Sequence, residues 1–188
     1  MNMDLEQTLT AAGRGDHDAW RRLIESYSGR VYGLIFSRCR NGELAEEITQ
    51  ATFTKVVSKL GDYQEQGRFE SWLFRIAMNQ FRDEMRRSKR QARPMDFDAT
   101  PPEALGSSDN GPAPSAGMEQ AEQVQQLQAA IMKLPEADQE LLELRYTAEL
   151  TFPQIAETLD EPLGTVLARG HRALKKLRQL LSEETSFA

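Results

Sequence analysis

Apolar residues recur along most of this chain at intervals of three and four, the spacing that gathers them on one face of an α-helix. In 44–60, LAEEITQATFTKVVSKL, they fall at Leu44, Ile48, Phe53, Val56, Val57 and Leu60. Residues 70–93 carry Trp72, Leu73, Ile76, Ala77, Phe81 and Met85 in the same rhythm. Upstream, Asp16, His17 and Asp18 lead into AWRRLIESYSGRVYGLIFSRC, a helical run interrupted by Gly29 and Gly33. Further on, Val124, Leu127, Ile131 and Leu134 form one stripe that Pro135 stops, and Leu141, Leu142 and Leu144 start another helix. No segment alternates apolar and polar residues as a strand does. The pattern predicts an all-α protein.

The rhythm lapses over 94–117, PMDFDATPPEALGSSDNGPAPSAG, which holds five Pro, three Gly, three Ser, four acidic residues and no basic one. A stretch this long with no period predicts a flexible tether. The expected organisation is therefore two small helical domains, 1–93 and 118–188, on an acidic linker, 94–117.

Residues 152–181, FPQIAETLDEPLGTVLARGHRALKKLRQLL, predict a helix-turn-helix. Ile155, Ala156 and Leu159 make a short apolar face, Asp160-Glu161-Pro162 breaks it, and Pro162 suits the first turn of a second helix. In that second helix Leu163, Leu167, Gly170, Leu174, Leu177 and Leu181 read as the buried stripe. Thr165, Arg169, His171, Arg172, Lys175 and Lys176 are left to meet phosphates or base edges. A solvated basic end that complements the helix dipole is the plainer reading of the same charges.

In the first half, 67–90 interleaves Phe69, Trp72, Phe74 and Phe81 with Arg68, Arg75, Arg82, Arg86 and Arg87. Rings stack on unpaired bases and arginines hold the backbone, as opening a duplex requires. Trp72, Ile76 and Phe81 equally satisfy a plain packing role. Arg86, Arg87, Lys89 and Arg90 are too dense for an interior and otherwise form a solvated face.

Charge first argues against a nucleic-acid partner, because the net is −6. Its distribution reverses that: 1–93 carry 16 basic and 13 acidic residues, and 118–188 carry 7 and 12. Each half bunches its positive charge near its C-terminal end, six basic residues within 82–93 and five within 169–178. Among the 188 residues the only cysteine is Cys39, so no internal disulfide forms and a reducing, cytoplasmic setting is expected. With two distant histidines, His17 and His171, no metal site or cofactor is expected. No apolar run nears the roughly 20 residues of a membrane span, and MNMDLEQTL lacks the pattern of a signal peptide. There is no Gly-rich phosphate loop and no supported Ser/His/Asp arrangement, so an enzyme is not expected.

The segments LAEEITQATFTKV (44–56) and FESWLFRIAMNQFRDEMRR (69–87) resemble region two of the bacterial extracytoplasmic-function (ECF, group IV) sigma factors of the sigma-70 family. Residues 134–178 resemble region four of the same family. The resemblance implies a promoter-specificity subunit of RNA polymerase. Its first domain docks on the clamp of the largest subunit through positions matching Glu47, Gln50 and Phe53. Phe69, Trp72, Arg75, Asn79, Arg82, Arg86, Arg87, Lys89 and Arg90 fall where promoter melting and minus-ten contact are expected. The second domain sits on the polymerase flap and reads the minus-thirty-five element with Thr165, Arg169, His171, Arg172, Lys175 and Lys176. An anti-sigma factor is an implied partner. The chain departs from the family pattern at Ala51, after the docking glutamine; at Asp160, in the usual glycine position of the turn; and at Glu161, Leu167 and Gly170. The competing reading is a helix-turn-helix regulator that works without polymerase, and a decoy that only titrates a regulator is a third.

Overall fold

The computed structural model describes residues 2–91 and 115–185, with side chains described for 5–90 and 124–182. Among these residues all regular structure is helical. The elements are α1 (Asn2–Gly13), α2 (His17–Cys39), α3 (Gly42–Leu60), α4 (Phe69–Gln91), α5 (Ser115–Met132), α6 (Glu136–Tyr146), α7 (Phe152–Leu159) and α8 (Leu163–Thr185). The predicted tether lies outside the described residues except for 115–117, which are already the first turn of α5.

Local chemistry sets the boundaries. Asp16 caps α2 by accepting from the Asp18 and Ala19 amides, each at 2.9 Å. Those bonds, that from Ala19 foremost, hold its carboxyl below the ordinary value. Arg40 ends α2 in the left-handed region (φ 52°), and Asn41 at once caps α3 through the Leu44 amide at 3.0 Å. Gly29 and Gly33 do not interrupt α2, which runs unbroken through both. Thr151 and Gln154 form a reciprocal capping box on α7. Asp160 closes α7 at φ 57°, supplying the left-handed residue that the turn needs without a glycine.

The first four helices form a bundle. Leu23, Val31, Leu34 and Ile35 of α2 pack with Ile48 and Val56 of α3 and with Phe69, Leu73, Ala77 and Phe81 of α4. The short α1 adds Leu9 and Ala12 to this interior. Helix α4 is covered on more than one side, since the neighbours Leu73 and Phe74 are both fully buried, as are Ala77 and Met78. One face meets the bundle and another meets α7. The two halves therefore share one continuous apolar interior rather than two separate ones.

Polar groups line the seam between them. Arg30 pairs with Glu70 at 2.7 Å and donates to the Ala148 carbonyl at 3.0 Å. The second oxygen of Glu70 accepts from Gln154 at 2.6 Å. Arg38 reaches Glu143 at 2.9 Å and Glu136 at 3.1 Å, while its guanidinium lies 5.4 Å from the centre of the Phe81 ring. Arg82 binds Glu140 at 2.6 Å. Gly33 sits where a Cβ would come 3.2 Å from the Thr147 methyl, so a bare backbone lets the end of α6 approach α2.

In α8 the structure corrects the expected stripe. Val166, Gly170 and Ala173 are buried and Leu177 is half-buried, whereas Leu163, Leu167 and Leu174 are exposed. The reason is the partner surface. A Cβ on Gly170 would lie 3.0 Å from the Phe152 ring and 3.4 Å from Leu141, so α8 turns its glycine, not its leucines, toward α6 and α7. In α5, likewise, Val124 and Leu127 of the expected stripe are exposed, and Ala130 with Leu134 fills the interior.

Two outcomes follow from this packing. Gly170→Leu displaces the Phe152 ring and lowers stability by about 2 kcal/mol, read as an earlier denaturation midpoint. Arg38→Ala strands the Glu143 carboxyl, at a cost of about 3 kcal/mol to the closed arrangement, and small-angle scattering then shows an expanded particle at neutral pH. Burial already pushes the Glu143 carboxyl up, and Arg38 pulls it back only in part. A carboxyl raised in the closed form binds its proton more tightly there than in the open form. The compact form of Arg38→Ala therefore returns below the ordinary glutamate value and is lost as pH rises through the raised one.

Candidate functional site

Helix α4 divides the predicted strand-opening residues into three groups. Phe69 is 2 % exposed, with its ring 5.4 Å from Tyr27 and 5.9 Å from Tyr63, so it belongs to the interior and not to a DNA-facing surface. Its position one residue past Arg68, at the start of the helix, aims it into the bundle. Arg75 and Arg82 face the second half: Arg75 donates to the Glu157 carbonyl and Arg82 pairs with Glu140. Asn79 stands beside Arg82 and accepts from it at 3.4 Å. Arg86, Arg87, Lys89 and Arg90 are exposed and crowd the C-terminal end of α4. Arg86 pairs with Asp83 at 3.5 Å, and Arg87 pairs with Glu84 at 3.2 Å and reaches Glu47 at 3.9 Å. These are surface pairs that water and salt weaken, so the guanidinium groups can exchange them for phosphate.

Trp72 is half-buried and stacks on Tyr63, centroid to centroid 4.6 Å. Tyr63 escaped the sequence reading because it lies in the loop between α3 and α4, where no helical period marks it. Glu65 organises that loop by accepting from the Arg68 amide at 3.1 Å and from the Tyr63 hydroxyl at 3.2 Å. Burial, then the Glu65 charge, pushes the Tyr63 phenol up, and burial foremost raises Tyr27 to about 12. Both phenols therefore stay neutral donors across the physiological range. Tyr63, Trp72, Arg68, Arg75 and Glu157 surround a cleft of about 240 Å³. It combines an aromatic platform with guanidinium groups, and the second half lies over its edge.

On the other side of the bundle an open apolar groove of about 840 Å³ runs between α2 and α3. Gln50 and Phe53 line it, joined by Ile24 and Tyr32, which the sequence reading did not single out, and by Val57, which it placed in the apolar stripe of α3. Those three leave the packing stripe of their helices and stand exposed at 42 %, 38 % and 53 %. Phe53 is only 9 % exposed and supports the bundle as well as the groove. Glu47 is exposed one turn before Gln50. Exposed apolar side chains gathered in a concave surface mark a place where another macromolecule binds.

In α8, Thr165, His171, Arg172, Lys175 and Lys176 are all exposed. Arg169 is the exception, held by both oxygens of Glu161 at 3.0 Å and 2.9 Å. Cys39 is half-buried, with its sulfur 3.3 Å from the Asn41 carbonyl oxygen. Among the described residues no cluster of His, Cys, Asp and Glu is placed to hold a metal ion, and no helix is long and apolar enough to cross a membrane.

Comparison with known proteins accounts for both halves. The pattern described as Sigma-70 region 2 matches residues 23–91, and that of Sigma-70 region 4 matches residues 130–179. Over 189 aligned residues the chain is 35 % identical to the ECF RNA polymerase sigma factor SigE of Mycolicibacterium smegmatis, covering 96 % of this chain and 70 % of that one. It is 31 % identical to the RNA polymerase sigma factor CarQ of Myxococcus xanthus, covering 90 % and 92 %. With SigW of Bacillus subtilis it shares 28 % identity over 97 % and 100 %. Among solved structures, CnrH in complex with the cytosolic domain of CnrY has the same fold, with a TM-score of 0.68 at 22 % identity over 95 % of this chain and 97 % of that one. The sigma factor RpoE from Bartonella quintana, in complex with the anti-sigma factor NepR, has a TM-score of 0.62 at 21 % identity over 86 % and 96 %. A region 2 bundle followed by a region 4 helix-turn-helix, with relatives of this kind along nearly the whole length, places the chain in one family: it is an ECF RNA polymerase sigma factor of the sigma-70 family.

Proposed function

We propose that this sigma factor docks on the clamp of the polymerase's largest subunit through the groove between α2 and α3, lined by Gln50, Phe53 and Val57, with Glu47 exposed one turn before Gln50 on α3. The groove carries the reading: it is a broad, predominantly apolar concavity of the region 2 bundle, and none of its lining residues belongs to α6 or α7. Trp72, Arg75, Asn79, Arg82, Arg86, Arg87, Lys89 and Arg90 of α4 open the promoter and contact its minus-ten element. The basic face of α8 sits at the minus-thirty-five element, with region 4 on the polymerase flap. The chain supplies specificity, and the chemistry of RNA synthesis belongs to the polymerase. It works where the polymerase is, in the cytoplasm, and an anti-sigma factor holds it inactive until needed. Segments 1–93, 94–117 and 118–188 act as docking module, tether and upstream reader.

Arg75 and Arg82 reach DNA only after α6 and α7 have withdrawn, because both are engaged by the second half in the closed form. This fits a protein that reads promoters as part of holoenzyme and not alone.

In vitro transcription with core RNA polymerase over a fragmented genomic library tests the proposal, and specific new start sites are the expected result. Val57→Asp, which changes only an exposed lining residue of the groove, weakens binding to core polymerase by about tenfold or more, the effect of burying an unpaired charge in an interface. Phe53→Ala also costs the bundle itself about 3 kcal/mol, so it is the less selective probe. Arg86→Ala with Arg87→Ala lowers the slope of log affinity against log salt by about 2 in holoenzyme binding to promoter, with little change in sequence preference.

A further inference from the structure

Helix α8 carries its apolar residues in two registers. The first faces α6 and α7. The second, Leu163, Leu167 and Leu174, stands in water at 41 %, 44 % and 38 % exposure. A single exposed leucine needs no explanation, but three in register on the helix of a DNA-reading motif do. Leu163 and Leu167 occupy the first two turns, the part of a recognition helix that meets base edges. From Leu163 to Ser182 there is no carboxylate, and His171, Arg172, Lys175 and Lys176 continue along the same helix. The surroundings of the stripe therefore suit a polyanion such as DNA and oppose a basic protein surface.

The nearest guanidinium is not available to replace them. Glu161 holds Arg169 through one hydrogen bond at 3.0 Å, its other oxygen lies 2.9 Å from the second guanidinium nitrogen as an ion pair, and both side chains are largely covered. A guanidinium engaged in this way presents its fork to the O6 and N7 of guanine only by giving up Glu161. The leading half of α8 thus offers the major groove alkyl groups where a donor would be expected. The apolar mark of that groove is the C5-methyl of thymine.

We propose that Leu163 and Leu167 read thymine methyl groups in the upstream promoter element, and that Arg169 is a positioning residue that clasps Glu161 and steadies the turn before α8. This rests on the assignment of α8 as the upstream reader. The basic residues that follow hold phosphates and set the register.

The test uses holoenzyme assembled from core RNA polymerase and the full chain. An upstream element is first selected from a promoter library randomised in that region, and each thymine of the selected element is then replaced singly by uracil, which removes only the methyl group. The expected element is enriched in thymine. Uracil at one or two positions weakens promoter binding roughly fourfold, the worth of one buried methyl. Leu167→Ala, a surface change that leaves thermal melting unaltered, abolishes the uracil effect at one of those positions, and Leu163→Ala does so at a neighbouring one. Glu161→Ala frees Arg169 and shifts the selected element toward guanine. A flat uracil scan with wild-type protein overturns the proposal, as does loss of guanine preference in Arg169→Ala. It is also overturned if Leu167→Ala weakens binding to core polymerase or self-association and leaves the uracil scan intact, since the stripe is then a protein contact. Absence of any promoter-specific transcript from the holoenzyme overturns the upstream-reader assignment itself, which the uracil scan alone does not touch.

Discussion

The arrangement of this molecule depends on Arg38. Its side chain is 9 % exposed, and that of its partner Glu143 is 11 % exposed, so both charges have given up most of their water. Glu136 supplies a second oxygen from the rim, the Phe81 ring lies beneath the guanidinium, and the buried Nε has no hydrogen-bond partner among the described residues. Charges in this position contribute little net stability, because desolvation offsets most of their attraction. They do penalise every other register, because a shift of one turn leaves a buried charge unpaired. The seam therefore selects one way of closing the two halves without making the closed form hard to leave, since each partner regains its hydration on separation.

This explains why opposite functions share one surface. The first half carries the excess of basic residues and the second the excess of acidic ones. Where they meet, Glu140 and the Glu157 carbonyl occupy Arg82 and Arg75, the places that phosphate oxygens would take on the proposed assignment of α4 to the promoter. Competition between a carboxylate and a phosphate for the same guanidinium is nearly even in energy, so a modest gain elsewhere decides it. On the proposed docking, binding of the groove to polymerase is the natural source of that gain, since none of its lining residues belongs to α6 or α7.

Much of this was legible in the sequence. The spacing of Ile48, Phe53 and Val56, or of Leu73, Ala77 and Phe81, is local and reports a helix wherever the helix ends up. The Asp160-Glu161-Pro162 break is likewise local, and so is the basic crowding after Arg82. What escaped was decided between segments. No periodicity pairs Arg38 with Glu143, or shows that the neighbours Leu73 and Phe74 are both fully buried. The short α1 offers only Leu9 and Ala12 to the interior, too little to stand out from the polar residues around them. In α8 the leucines misled because a stripe at four and three marks a helix face without saying which face is buried. Phe152 made that choice by filling the space beside Gly170.

The departures from the family pattern are linked for the same reason. Gly170 would weaken an isolated helix by about 1 kcal/mol relative to alanine, yet here the missing side chain is the room that Phe152 occupies. Glu161 places a carboxylate in the turn before α8, which would repel phosphate, except that Arg169 neutralises it from the second turn of α8. Asp160 adopts the left-handed geometry that glycine would otherwise supply. With Gly170 on the buried face and Arg169 occupied, Leu167 is left in water at the leading end of the helix. Its exposure is thus a consequence of how its neighbours are satisfied. Ala51 stands apart from this set: it is exposed beside Gln50, and nothing in the structure compensates for it.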